Sequence, residues 1–239
     1  MIQEKKTDVL AFGAHSDDVE IGMAGSIYKW TASGRNVVIC DLTRAELSSN
    51  GNMETRLQEA SEAASRMGVR ERVNLQLPDR GLYMKDEYIR QIADMIRKYS
   101  PTLVFAPFSE DRHPDHGRCA ELVKEAFFSA GIKKFKTPGG YNAHKPNNLF
   151  YYFINSQPNP DFVLDISGFM DQKLCALQAY QSQFQPGESG VKTPLTDGYL
   201  ERVEARERIY GVEAGVTFAE GFKIDRPLLI NQNIFGEGL

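Results

Sequence analysis

The chain has 239 residues, of which 41% are hydrophobic and 25% charged, with a formal net charge of −4. This composition is ordinary for a globular protein, and the acidic balance argues against a nucleic-acid partner, which usually binds through a basic patch. No apolar run is long enough to cross a membrane, and the N-terminus lacks the apolar core of a signal peptide, so we expect a cytoplasmic protein with no membrane partner.

The first half of the chain alternates short apolar runs with longer amphipathic stretches. The apolar runs predict buried strands at Val9–Ala14, Val37–Leu42, Val73–Leu75 and Leu103–Ala106. The amphipathic stretches predict helices over residues 21–33, 54–67, 86–99 and 116–130. This βαβα order predicts an α/β fold, a Rossmann-like and mostly parallel sheet with helices on both faces.

The second half is less regular. Residues 136–148 carry proline, paired glycine and paired asparagine, which predict a loop. Strands are predicted at Phe150–Ile154 and Phe162–Ile166, and helices over residues 169–181 and 199–210 around a flexible loop at 182–190. Because no repeat or clear domain boundary interrupts the chain, we expect residues 1–239 to form a single domain.

Three of the four histidines lie in two short clusters that are rich in carboxylates. The first cluster, residues 14–20, reads Ala-His-Ser-Asp-Asp-Val-Glu, and the second, residues 110–116, reads Glu-Asp-Arg-His-Pro-Asp-His; the fourth histidine, His144, lies in the predicted loop. Both clusters follow predicted strands, and ligands of open α/β sheets bind beyond the carboxyl ends of the strands. We therefore expect the two clusters to meet at that edge, with the site between them.

This set of side chains predicts one metal ion. A catalytic zinc typically takes three protein ligands and keeps one position open for water. His15 and Asp18 are spaced so that one turn can direct both at a single ion, and His116 could complete the set. Fe²⁺ would suit two histidines and a carboxylate almost as well. The cysteines Cys40, Cys119 and Cys175 form no CxxC motif and predict buried reduced thiols rather than a disulfide framework or a thiolate site.

The remaining charged residues of the clusters suit acid–base chemistry. Asp17 would point away from the ion and be free to act as a general base, while His113, oriented by Asp115, would stabilise an oxyanion or protonate a leaving group. Each cluster alone could instead be a polar helix start, because aspartate is favoured at helix N-caps. Together, at the ends of parallel strands, they favour a metal-dependent hydrolase.

At these motifs the chain resembles the PIG-L/LmbE-like zinc deacetylases. The first motif of that family is usually Ala-His-Pro-Asp-Asp-x-Glu and the second is commonly His-Pro-Asp-His. The second is intact at residues 113–116, whereas Ser16 replaces the proline of the first without changing a ligand or the base. Residues 41–51, 78–84 and 190–199 are similar to the bacillithiol-biosynthesis branch. The resemblance implies removal of acetate from N-acetylglucosaminyl malate, a small amino-sugar substrate, by a homo-oligomer that is often a hexamer in this branch.

The resemblance also implies residue roles. One Zn²⁺ per chain would be bound by His15, Asp18 and His116. The catalytic residues would be Asp17 as general base, His113 with its orienting partner Asp115, and Tyr199 near the oxyanion. The substrate would contact Arg56, Glu46 and Asp79.

Two other functions stay open. The first is a deacetylase or amidase for chito-oligosaccharides, other acetylamino sugars or thiol conjugates. The second is a ligand-binding module with a vestigial metal site, since Gly13, Gly22 and Gly25 superficially suggest phosphate binding. These glycines do not form the GxGxxG pattern, however, and the first histidine cluster occupies that turn.

Overall fold

The computed structural model describes residues 7–188 and 190–229. The described strands are β1 Val9–Gly13, β2 Val37–Thr43, β3 Glu71–Leu77, β4 Leu103–Pro107, β5 Asn148–Tyr152, β6 Phe162–Asp165 and β7 Ala219–Ile224. The described helices are α1 Asp18–Ala32, α2 Met53–Arg66, α3 Asp86–Tyr99, α4 Pro114–Ala130, α5 Met170–Leu177, α6 Gln181–Phe184 and α7 Tyr199–Glu213. In this part of the chain, no helix combines the length and the apolar character needed to span a membrane.

The strands form one sheet in the order β3-β2-β1-β4-β5-β7-β6. Strands β1 to β5 are mutually parallel, and β7 runs antiparallel to both β5 and β6. Successive side chains of β1 point to opposite faces: Val9 and Ala11 pack in the apolar cluster that includes residues of α1 and α2, whereas Leu10 and Phe12 pack in the one that includes α3 and α4. The predicted α/β class, with helices on both faces of a mostly parallel sheet, is confirmed.

Helix α1 lies unusually close to the sheet. A Cβ atom added at Gly22 would lie 2.0 Å from the Tyr152 ring, and one at Gly25 would lie 2.7 Å from Ile166. The helix kinks at Met23, and the buried Glu220 carboxylate of β7 accepts the backbone N–H groups of Gly25 (2.9 Å) and Ser26 (2.7 Å) beyond the kink. The two glycines therefore serve close packing, which removes the reason to assign them to phosphate binding.

The second half of the chain differs from the prediction in three places. Strand β7 was not predicted, although it lies between β5 and β6. The helix predicted over 169–181 ends at Leu177, because the chain turns so that Tyr180 enters the core and donates its hydroxyl to Glu20 (2.9 Å). The short helix α6 then lies partly where a loop was predicted. Cys40 and Cys119 are buried free thiols as expected, but Cys175 is exposed, so the prediction was wrong there.

Candidate active site

Two turns at the carboxyl edge of the sheet hold the two histidine clusters. The first connects β1 to α1 and is tight, since a Cβ atom at Gly13 would lie 2.9 Å from the carbonyl oxygen of His15. The second follows β4 and ends at His113, the N-cap residue of α4. Because β1 and β4 are neighbouring parallel strands, both turns leave the sheet at the same edge. The fold thus brings the two clusters together as predicted.

The three predicted metal ligands form a buried triangle. The carboxylate of Asp18 lies between the two imidazoles, with Oδ2 3.6 Å from Nδ1 of His15 and Oδ1 3.1 Å from Nε2 of His116. Ligand atoms about 2.0–2.1 Å from a tetrahedral zinc lie roughly 3.3 Å apart, and each imidazole–carboxylate separation is close to that value, with the two histidines facing different oxygens of Asp18. The side-chain ligand atoms of His15, His113 and His116 all lie within 4.8 Å of one another, which makes His113 an alternative to Asp18 as the third donor.

The charged groups of this triangle shift one another's pKa values toward the ionised forms. Burial lowers the pKa of His116, but the Asp18 and Asp111 carboxylates outweigh it and raise that pKa to about 9. Burial likewise raises the pKa of Asp18, yet the charge of His116 and the contacts with both histidines hold it well below its ordinary value. Asp18 is therefore anionic, as a metal ligand must be, and metal binding at His116 releases a proton.

The predicted general base, Asp17, lies in the cleft and is paired with a buried arginine. Arg56 pairs with its carboxylate at 3.2 Å and 3.3 Å and also donates to the carbonyl oxygen of Ser16 (3.1 Å). The Arg56 guanidinium is buried and lies 5.5 Å from the centre of the Tyr180 ring. Arg56 therefore fixes the orientation of the Asp17 carboxylate.

His113 is held differently from the expectation. Its Nδ1 accepts the backbone N–H of Asp115 (3.3 Å), whereas the Asp115 carboxylate accepts the backbone N–H of Arg80 (2.8 Å) and faces the Arg80 guanidinium (3.3 Å). Asp115 thus orients His113 through its backbone. Burial, and then the positive charges of His15 and His116, lower the pKa of His113. These observations favour a neutral imidazole with its proton on Nε2.

A cleft of about 520 Å³ opens over these groups, within the ~300–1,000 Å³ of small-molecule sites. Three arginines line it: Arg56, Arg80 and Arg112. Arg112 is exposed and donates through Nη2 to Oδ1 of Asn155 (2.9 Å). A larger groove of about 830 Å³ lies between α2 and β3 and shares Arg56 with the cleft, but no histidine is among its described lining residues.

Comparison with known proteins identifies the family. The family model of PIG-L, GlcNAc-PI de-N-acetylase, matches residues 10–127, which include both histidine clusters. Diacetylchitobiose deacetylase of Thermococcus kodakarensis is 30% identical over 228 residues, which cover 90% of this chain and 82% of the relative. The chain belongs to the PIG-L family.

Two further comparisons agree with this assignment. Probable N-acetyl-alpha-D-glucosaminyl L-malate deacetylase 2 of Bacillus anthracis is 28% identical over 214 residues, covering 84% of this chain and 92% of the relative. The crystal structure of a conserved protein from Thermus thermophilus superposes with a TM-score of 0.86 at 35% identity, covering 94% of this chain and 97% of that one. The PIG-L deacetylases are metal-dependent, in agreement with the donor set of the cleft.

The residues carried over from the family for substrate binding do not all reach the cleft. Asp79 lines it. Glu46 is exposed and accepts the backbone N–H of Asp79 (2.8 Å), but it is not among the described lining residues. Tyr199 is buried, its hydroxyl lies 3.1 Å from the carbonyl oxygen of Ile154 and 3.2 Å from Oδ1 of Asn155, and it is not among the described lining residues of the cleft. The structure therefore does not bring Tyr199 to the position expected for it in the cleft.

Sequence reasoning missed two residues of this site. Asp111 lies 3.0 Å from Nδ1 of His116 and accepts the backbone N–H of His113 (2.8 Å). Asn155 donates to Asp111 through its backbone (2.8 Å) and its side chain (3.0 Å). The place of Asp111 inside the second cluster was a usable signal, whereas nothing local marks Asn155. His144 lies elsewhere, 2.7 Å from the carbonyl oxygen of Pro101, which precedes β4 at the opposite edge of the sheet.

Proposed function

We propose that this PIG-L protein is a zinc-dependent deacetylase that hydrolyses the acetamide of an N-acetylglucosaminyl conjugate. The observation that carries the proposal is the convergence of His15, Asp18 and His116 beside Asp17 in one cleft. Two imidazoles and a carboxylate suit zinc, and Fe²⁺ fits the same donors. Membership of a deacetylase family supports amide hydrolysis as the reaction.

The side chains of the cleft supply the proton transfers. A bound zinc would lower the pKa of water and polarise the acetyl carbonyl. Asp17, held by Arg56, accepts a proton from the attacking water and returns it to the amine nitrogen as the carbon–nitrogen bond breaks. His113 donates a hydrogen bond from Nε2 to the oxyanion, which stabilises the tetrahedral intermediate. Water and the amide thus become acetate and the free amine.

The aglycone that we favour is malate. Arg112 lines the cleft and is exposed, and a guanidinium can bind a carboxylate through two parallel hydrogen bonds. The Bacillus anthracis relative, named as a malate-conjugate deacetylase, supports this choice. The competing substrate is diacetylchitobiose, which the name of the Thermococcus kodakarensis relative favours. Amine release from both compounds and from N-acetylglucosamine, measured side by side, distinguishes the two.

The substitution that tests the proposed chemistry is Asp17→Asn. This change keeps the shape of the side chain but removes the proton acceptor, so we expect turnover to fall by about 10²–10⁴-fold. Metal content, measured by elemental analysis, should stay at the wild-type level because Asp17 is not a ligand. Normal turnover in Asp17→Asn protein would remove Asp17 from the mechanism.

Three further expectations belong to this proposal. We propose a cytoplasmic enzyme and a homo-oligomer, with a hexamer as the assembly that the related branch suggests. Light scattering coupled to size-exclusion chromatography tests the assembly, and a mass near the 26.9 kDa of one chain would contradict it.

A further inference from the structure

Each of the two histidine ligands has its second ring nitrogen against a carboxylate. Nε2 of His15 is hydrogen-bonded to Oδ1 of Asp79 (3.3 Å), whereas Nδ1 of His116 lies 3.0 Å from Oδ1 of Asp111 as an ion pair without hydrogen-bond geometry. The other nitrogen of each ring faces Asp18. Both rings are thus placed between the metal site and an outer carboxylate.

An imidazole that binds a metal offers the lone pair of one nitrogen and carries its proton on the other. A carboxylate that accepts this proton fixes the tautomer and the orientation of the ring, and makes the ligand more basic. We propose that Asp79 and Asp111 are positioning residues that hold His15 and His116 in the metal-binding orientation. This inference rests on the proposed metal site and assigns Asp79 a role other than the substrate contact that the family resemblance implies.

The surroundings of Asp79 favour this role. Its side chain is 6% exposed, its Oδ2 accepts the backbone N–H of Leu47 (3.0 Å), and its own N–H donates to Glu46 (2.8 Å). One oxygen is thus anchored to the loop while the other faces His15. Asp115 is the competing partner of His15, but its Oδ2 lies 3.7 Å from Nε2 and already accepts the N–H of Arg80. A separation of 3.7 Å is too long for a hydrogen bond.

Asp111 has a wider set of contacts. Its side chain is 2% exposed. Besides facing His116, it accepts the backbone N–H of His113 and both the backbone and side-chain N–H groups of Asn155. It therefore ties a metal ligand to a catalytic imidazole and to the residue that holds Arg112. Because Asp111 supports several groups at once, Asp79 gives the cleaner test.

The test compares metal affinity with substrate affinity in Asp79→Ala protein. Zinc affinity is measured by competition with a chromophoric chelator, without substrate, and the Co²⁺ absorption spectrum reports the ligand geometry. We expect the zinc Kd to rise about 10–100-fold and the Co²⁺ spectrum to change. The KM for N-acetylglucosamine, measured at saturating zinc, should stay within about threefold of the wild-type value, because this role needs no contact between Asp79 and the sugar.

Two variants complete the design. Asp79→Asn keeps an acceptor oxygen without the charge, should fold like the wild type, and should show an intermediate rise in Kd. Asp165→Ala is the matched control, since this exposed carboxylate also accepts a backbone N–H, from Ser167 (2.9 Å), and should leave zinc affinity unchanged.

Two results would overturn the proposal. One is unchanged zinc affinity in both Asp79 variants together with a rise in KM, which would make Asp79 a substrate contact. The other is a second zinc bound by the wild type and lost in Asp79→Ala protein, which would place a cation among His15, Asp79 and Asp115. Because zinc binding is measured without substrate, either result leaves the proposed deacetylase activity to be judged separately.

Discussion

Arg112 offers a direct test of how the aglycone is recognised. Its Nη2 donates to Oδ1 of Asn155 at 2.9 Å, and the residue is exposed where it lines the cleft. A hydrogen bond between charged groups contributes about 1.5–3 kcal/mol. Since about 1.4 kcal/mol corresponds to tenfold, Arg112→Ala should lower kcat/KM for N-acetylglucosaminyl malate by roughly 10–150-fold.

The assay is initial-rate amine release with two substrates. For N-acetylglucosamine, which has no aglycone carboxylate, we expect kcat/KM of Arg112→Ala protein within about threefold of the wild-type value. For N-acetylglucosaminyl malate, kcat/KM of Arg112→Lys protein should lie between the values of the wild type and of Arg112→Ala, because lysine keeps the charge but lacks the planar guanidinium. Arg35→Ala is the control, since Arg35 is a mostly exposed cation that pairs with Asp8 before β2, at the opposite edge of the sheet. Equal losses for both substrates in Arg112→Ala would refute the reasoning that Arg112 recognises the aglycone.

Two predictions concern stability. In Gly22→Ala, the added Cβ would lie 2.0 Å from the Tyr152 ring. The free energy of unfolding, measured by chemical denaturation, should therefore fall by about 1–3 kcal/mol in spite of the better helix propensity of alanine. Gly168→Ala is the control and should be near neutral, because there is open space around Gly168. In Lys173→Met, the buried Glu220 carboxylate, 2.6 Å from Nζ, loses its cation, and Glu207, 2.7 Å from Nζ, keeps its pairing with Arg206 (2.7 Å). A loss of about 3–5 kcal/mol in the free energy of unfolding should lower Tm by roughly 6–20 °C, and an unchanged Tm in calorimetry would show that Lys173 does not stabilise the fold.

The composition of the site was largely predictable from the sequence. Clusters that follow parallel strands must meet at one edge of the sheet, so the meeting of His15, Asp18 and His116 follows from the strand pattern. The partners of these groups were not predictable. The pairing of Asp17 with Arg56 depends on how α2 packs against the first turn, and residue spacing carries no such information.

The fold was predictable where strands are continuous apolar runs. Strand β7 was missed because Ala219–Ile224 contains Glu220 and Gly221, which do not suit a buried strand by composition. The structure explains the exception, since Lys173 and the amides of α1 satisfy the Glu220 carboxylate. A buried charge is acceptable only with partners, and those partners lie about 50 and about 195 residues away in sequence.

The measurement that tests the central claim is amine release from N-acetylglucosaminyl malate by protein as purified, after removal of metal with a chelator, and after zinc is restored. We predict that release is lost with the metal, returns with zinc, and exceeds release from N-acetylglucosamine. Release that persists in protein verified to be free of metal would contradict a metal-dependent hydrolase. So would the absence of release from the malate conjugate, diacetylchitobiose and N-acetylglucosamine with zinc verified in place.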